Sequence, residues 1–251
     1  ALKSGWITTG PRTKLFEKKI AKYCNVNNVL AVNSWTAGAE LLLYWFGVNE
    51  GDEVIVPVYT YCASANIVMH RGAKVIMVDV NSDFGIDISK IEKHITSKTK
   101  AIIPVDVGGL PIQFDELKAI VNKQEVKEKF NPQSENQEKL GRIMILSDAA
   151  HSFGAKYKGL NVGSEVDFTV FSFHAVKNLT TAEGGAICIN LPKPFDNLEV
   201  YKQLNTLSLH GQNKDALAKT QKGSWEYDVI DAGFKCNMTD ILASIGLVEL
   251  E

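Results

Sequence analysis

Short apolar runs recur along the chain at positions 53–57, 74–80, 100–105, 142–147, 166–173 and 185–189. They are nearly continuous in aliphatic and aromatic residues instead of alternating with polar ones. A strand with one wet face alternates, whereas a strand covered on both faces does not, so these runs predict a parallel sheet with helices on either side. The intervening segments 37–46, 63–70, 86–94 and 113–122 read as helices. Strand–helix–strand repetition implies right-handed crossovers and a layered α/β domain. Ligands of such sheets gather beyond the carboxyl ends of the strands, so the residues after each run come first as candidates for chemistry. One stretch breaks the pattern. Residues 123–139 are rich in Lys, Glu, Gln and Asn with few apolar anchors, and are predicted to form a solvated surface insertion.

A chain of 251 residues, 45% of them hydrophobic, is long enough to bury the core of one large α/β domain. A formal net charge of −2 and the lack of a basic stripe give no electrostatic support for binding nucleic acid. No apolar run is long enough to span a bilayer and the first residues do not resemble a signal peptide, so no membrane role is expected. Cys24, Cys62, Cys188 and Cys236 are widely spaced, without a CxxC pair or a histidine at zinc-ligand spacing. That pattern predicts neither a disulfide framework nor a metal site, and fits free thiols in a reducing cytoplasm.

The densest chemical signal follows the run ending at Phe173, where Lys177 stands among His174, Val176, Leu179 and Thr180 before Gly184-Gly185 opens another apolar run. A lysine so flanked is either a snorkelling loop lysine or a desolvated amine. Desolvation lowers an ammonium pKa and frees the neutral amine to attack an aldehyde. Asp148 ends the buried run before Ala149-Ala150-His151-Ser152-Phe153-Gly154. A carboxylate there serves as a helix N-cap or needs a cationic partner, and a protonated pyridine nitrogen is one such partner. His151 is placed either to hydrogen-bond a ring substituent or to pack. At Ser34-Trp35-Thr36-Ala37-Gly38, small residues open an apolar helix whose first N–H groups suit a phosphate. Neither a Walker loop nor GxGxxG is present, which argues against a dehydrogenase-like nucleotide site. Ser172 is positioned to add a hydroxyl to the same phosphate. Tyr59 and Tyr61 follow the run ending at Pro57, where aromatics are placed either to stack on a planar ring or to pack, and Tyr59 is expected in the core.

Together these stretches resemble the DegT/DnrJ/EryC1/StrS family, the sugar aminotransferases of pyridoxal phosphate fold type I. The resemblance runs through Leu2 to Pro11, Asn33 to Ala37, Gly51 to Pro57, Thr60 to Ser64 and Ala101 to Pro111. It continues through Asp148 to Ser152, Ser172 to Lys177, Gly233 to Asp240 and Ala243 to Glu251. It implies the fold type I large domain, with a mostly parallel central sheet covered by helices. Lys177 matches the Schiff-base lysine, Asp148 the partner of the pyridine nitrogen and His151 the residue near the phenolic oxygen. Tyr61 matches the stacking aromatic, and Ser172 with the Thr36–Ala37 backbone the phosphate cradle. Lys235 falls where many members carry an asparagine that reaches the neighbouring subunit's phosphate, and Met238 and Asp240 belong to the dimer-facing segment. Trp6, Thr8 and Thr9 are expected near the sugar.

The implied reaction is ping-pong transfer of an amino group from glutamate to a nucleotide-linked keto-sugar, in amino-sugar or cell-surface polysaccharide biosynthesis. The implied assembly is a cytoplasmic homodimer. The presence of Lys177 argues against the dehydratase branch, in which histidine replaces it. A non-catalytic or regulatory binder of pyridoxal phosphate, or a pyridoxal phosphate enzyme acting on another small substrate, is the alternative. The resemblance further implies that residues 1–251 are the cofactor-binding large domain cut short at both ends, without the small C-terminal domain.

Overall fold

The computed structural model describes residues 1–213 and 226–251. In chain order the elements are α1 (Pro11–Tyr23), β1 (Asn28–Val32), α2 (Trp35–Phe46), β2 (Glu53–Pro57), α3 (Cys62–His70), β3 (Lys74–Val78) and α4 (Ile88–Ile91). Then come β4 (Thr99–Ile102), α5 (Phe114–Asn122), α6 (Gln124–Lys129), α7 (Glu135–Leu140), β5 (Met144–Asp148), and a small hairpin of β6 (Lys156–Tyr157) and β7 (Leu160–Asn161). The described chain closes with β8 (Phe168–Ser172), β9 (Gly185–Ile189), α8 (Asn197–Leu207) and α9 (Asp240–Glu249). Among the described residues no helix is long and apolar enough to cross a membrane.

The seven-stranded sheet has the order β1-β9-β8-β5-β4-β2-β3. β8, β5, β4, β2 and β3 pair in parallel, but β9 is antiparallel to both β8 and β1. The sheet is thus mostly parallel, as expected, with β9 the strand that departs from the parallel pattern of the other apolar runs. The physical reason lies in the burial. Alternate residues of the edge strands enter two different cores: Leu30, Val32, Val170, Ile187 and Ile189 one, and Val29, Ala31, Phe171, Ala186 and Cys188 the other. Both faces are covered, so β9 reads as a continuous apolar run whichever way it points. β1 runs the same way as β8, which brings its carboxyl end to the same rim of the sheet.

The polar segment 123–139 is not merely solvated. Val126 and Phe130 enter the core. Its polar groups close the carboxyl end of α2, where a helix leaves carbonyls without partners. Ser134 Oγ donates to Phe46 O at 2.8 Å, Asn136 Nδ2 to Trp45 O at 2.8 Å, and Gln137 Nε2 to Phe46 O at 3.0 Å and Gly47 O at 3.2 Å. The buried Lys100 ammonium donates to Asn131 O and lies 3.6 Å from Asp52. Composition suggested solvent exposure, but these amides and hydroxyls have protein partners.

Candidate active site

A cleft of about 660 Å³ lies beyond the carboxyl ends of β1, β2, β4, β5 and β8, within the range of small-molecule sites. Each strand delivers its next residues there: Ser34 to Thr36 after β1, Tyr59 to Tyr61 after β2, Val105 to Val107 after β4, Asp148 to His151 from β5, and Ser172 to Lys177 from β8. Gly184, just before β9, completes that wall.

Asp148 is 5% exposed at the end of β5. Its Oδ1 accepts from the Ala150 N–H at 3.2 Å and its Oδ2 from Ser64 Oγ at 3.1 Å. Burial pushes its pKa up to about 7, against the pull of those two donors and of the Lys177 charge. Lys177 stands in the loop after β8, its backbone N–H bonded to His174 O at 2.9 Å. Partial burial lowers its pKa, and Asp148 pulls it back up. The two groups influence one another without forming a direct ion pair among the described residues. His151 reaches the same cleft but keeps solvent exposure; partial desolvation, then the Lys177 charge, hold it below the usual imidazole range.

The start of α2 is a donor nest. Ser34 is its N-cap and its Oγ accepts the Ala37 N–H at 3.1 Å, so the amides of Trp35 and Thr36 are the ones left open. Of the expected Thr36–Ala37 cradle, the Ala37 amide is engaged by the N-cap hydroxyl and the Thr36 amide is open. Ser172 Oγ faces the cleft, 3.4 Å from the His174 amide nitrogen that donates to it. The tight approach depends on Gly185, where a Cβ would lie 2.7 Å from the Ser34 carbonyl carbon and 2.8 Å from both Trp35 N and Phe171 O.

Tyr61 stands at the rim, 78% exposed, with a free ring face. Tyr59 is not in the core as expected: it is more than half exposed and its ring contacts Phe84 at 5.2 Å. Trp6, Thr8, Thr9 and Lys235 are absent from the cleft lining. Thr9 is buried, donating to Met238 O at 2.5 Å and accepting from Asn237 Nδ2 at 2.6 Å, while Trp6 Nε1 donates to Thr9 O at 3.0 Å. The hydroxyl expected to meet sugar is thus spent on holding the chain's first segment. Lys235 is exposed and bonded to Asn237 Oδ1. Met238 and Asp240, expected within the dimer-facing segment, have their own side chains buried inside the chain, and Asp240 accepts from Gly10 N at 2.8 Å, Arg12 N at 3.0 Å and Thr13 N at 2.9 Å.

Sequence reasoning missed Asp106, which lines the cleft while buried at 1% exposure. Ser152 Oγ donates to its Oδ2 at 2.7 Å and Ile112 N to its Oδ1 at 3.3 Å. Burial pushes its pKa up to about 7, opposed by those donors, with the Asp148 charge adding to the rise. Its signal was its place after the 100–105 run, the same logic that found Asp148. Ser64 and Thr60 were also passed over as role-bearing residues. The cleft thus combines a buried carboxylate with no ion-pair partner among the described residues, an amine whose pKa is lowered by burial, open helix amides and an exposed aromatic face.

The sequence model of the DegT/DnrJ/EryC1/StrS aminotransferase family matches residues 1–128 and 135–251, leaving out only positions inside the polar segment. Spr1654 of Streptococcus pneumoniae, assigned as a sugar aminotransferase and solved in a PMP form, superposes with a TM-score of 0.93 at 50% identity, over 99% of this chain and 62% of that one. PseC of Helicobacter pylori, an aminotransferase involved in the biosynthesis of pseudoaminic acid, superposes with a TM-score of 0.80 at 28% identity, over 99% of this chain and 60% of that one. The spore coat polysaccharide biosynthesis protein SpsC of Bacillus subtilis is 36% identical over the whole chain. The chain spans 59% of the length of the curated relatives it matches.

Proposed function

Because the chain belongs to the DegT/DnrJ/EryC1/StrS aminotransferase family, we propose that it binds pyridoxal 5'-phosphate in the strand-end cleft and transfers an amino group from glutamate to a nucleotide-linked keto-sugar. The observation that carries this reading is that Asp148 and Lys177 share one cleft, both perturbed by burial and, among the described residues, neither closed in an ion pair. A buried carboxylate is stabilised by a cation, and a protonated pyridine nitrogen supplies one. The open amides of Trp35 and Thr36 and the Ser172 hydroxyl suit a phosphate at a helix N-terminus. Tyr61 offers its ring face at the rim.

When bound, the cofactor supplies an electron sink for charge developing on the substrate carbon. Asp148 keeps the ring nitrogen protonated. Lys177, whose amine burial biases toward the neutral form, takes and returns the proton at the substrate carbon. His151 orients the opposite edge of the ring. In this reading residues 1–251 act as the cofactor-binding large domain of a cytoplasmic homodimer, and Lys235 reaches toward the neighbouring subunit's phosphate as a point charge.

The test is a half-reaction. Protein loaded with pyridoxal phosphate and given glutamate alone should release one equivalent of 2-oxoglutarate per site. A panel of UDP-, dTDP- and GDP-linked 3- and 4-keto sugars should then return the cofactor to its aldehyde form with one member. No 2-oxoglutarate, with the cofactor bound, sinks the reading.

A further inference from the structure

Donors of this chain grip both oxygens of Asp148, and the two donors differ in kind. The Ala150 N–H is fixed in direction, at 3.2 Å from Oδ1. Ser64 Oγ, at 3.1 Å from Oδ2, belongs to a hydroxyl that can give or accept. Ser64 is wholly buried in the first turn of α3, and its oxygen lies 2.7 Å from Thr60 Oγ1. A hydroxyl has one proton, so a Ser64 that donates to Asp148 must accept from Thr60. The chain runs from Thr60, on the cleft wall between β2 and α3, through Ser64 to the carboxylate.

We propose that Ser64, backed by Thr60, is a positioning residue that holds Asp148 ionised and aimed into the cleft, and thereby sets the proton affinity of the group Asp148 pairs with. That this group is a ring nitrogen rests on the function proposed above; the effect on Asp148 does not.

Burial strips Asp148 of water, so each donor that remains carries a large share of its ionisation. The charged and titratable groups facing it are Lys177 from the loop after β8, which favours the anion, Asp106 from beyond β4, which opposes it, and His151 on its own turn. Removing the Ser64 hydroxyl leaves Oδ2 without a donor, and the carboxyl then recovers a proton at higher pH. Ser64 can also accept from the neutral acid, but the bond it donates to the anion is charge-assisted and the stronger of the two, so its net effect favours ionisation. The amide of Ala150 has no such freedom.

The experiment is an infrared titration of the ligand-free chain, with the Asp148 carboxyl band assigned by its loss in Asp148→Asn. Ser64→Ala should raise the Asp148 midpoint by about one pH unit or more, an approximately tenfold gain in proton affinity. Ser64→Thr, which keeps the hydroxyl, should restore the wild-type midpoint. Thr60→Val should move it the same way as Ser64→Ala but less, and it carries the test if Ser64→Ala fails to fold. In pyridoxal phosphate binding, Ser64→Ala should weaken affinity about 10- to 100-fold near neutral pH and converge on wild type at alkaline pH. A packing defect would weaken it equally throughout. Because Asp106 responds to the Asp148 charge, the midpoint is read only from the band that Asp148→Asn removes. An unchanged midpoint in Ser64→Ala, or in Thr60→Val if that variant is used, overturns the proposal. A shifted midpoint in a chain that binds no pyridoxal phosphate upholds the proposal and overturns the aminotransferase reading instead.

Discussion

Asp106 donates its backbone N–H to the carbonyl of Asp148 at 3.0 Å, so two buried carboxyl side chains sit on hydrogen-bonded backbone at the rim of one cleft. Both are raised to about 7, principally by burial. Two unpaired acids so close together are a cost to the fold, and a cleft that binds a cation recovers it.

That cost has a sign in pH. An acid whose folded pKa lies above its unfolded value binds its proton more tightly when folded, so stability falls as pH rises through the window between the two. For Asp106 and Asp148 the window runs from 3.8 to about 7, and each group contributes up to ~4 kcal/mol of loss across it. The ligand-free protein should therefore lose stability in urea between pH 5 and pH 8 through this pair, and Asp148→Asn should lose markedly less. Equal losses in the two proteins would show that Asp148 is already ionised at pH 5.

Lys177 should be the site of covalent capture. Borohydride reduction in the presence of pyridoxal phosphate is expected to leave a pyridoxyl group on the peptide containing Lys177. Lys177→Ala should lower the glutamate half-reaction by ~10²–10⁴-fold while phosphate-dependent binding persists. Peptide mass spectrometry with the label elsewhere would contradict the assignment.

Gly185→Ala tests the nest at the start of α2. The added Cβ would meet the Ser34–Trp35 peptide at 2.7–2.8 Å and Phe171 O at 2.8 Å, and backbone cannot swing aside as a side chain can. Destabilisation of ~1–3 kcal/mol in urea is expected, together with weaker binding of pyridoxal phosphate than of its phosphate-free analogue relative to wild type. A variant that matches wild type in both would mean the helix start is not held against β9.

Asp240→Ala tests whether that side chain serves the inside of the chain. Its carboxylate serves three amides and the Thr13 hydroxyl at the start of α1, and the amides of Gly10 and Thr13 would be left buried without partners. The expected cost is ~2–4 kcal/mol, read from denaturation, with the sedimentation behaviour of the folded fraction unchanged. Loss of self-association without loss of stability would restore the subunit-facing assignment.

The parts legible in the sequence were those that a single strand end decides. Asp148 directly follows one apolar run, Ser172 lies near the end of another and Lys177 stands four residues beyond it, and the runs at 53–57 and 185–189 coincide with β2 and β9. What escaped depends on which strand lies beside which. Ser64 serves Asp148 only because α3 follows β2 and the sheet places β4 between β2 and β5. Thr9 was assigned to a sugar because its partner, Met238, is 229 residues away in sequence. The direction of β9 was hidden by burial on both faces, and β1 with α1 was overlooked because an Asn-led five-residue run beside a lysine-rich helix gives little contrast.

The polar segment at 123–139 has a mechanical consequence. It hooks the last carbonyls of α2, while the first amides of the same helix open onto the cleft. α2 is thus a rod of 12 residues, ~18 Å long, with one end bolted to Ser134, Asn136 and Gln137 and the other resting against Gly185. The 123–139 stretch and the cleft are thus the two ends of one rigid element, and a substitution that frees the far end is expected to be felt by an anion at the near one.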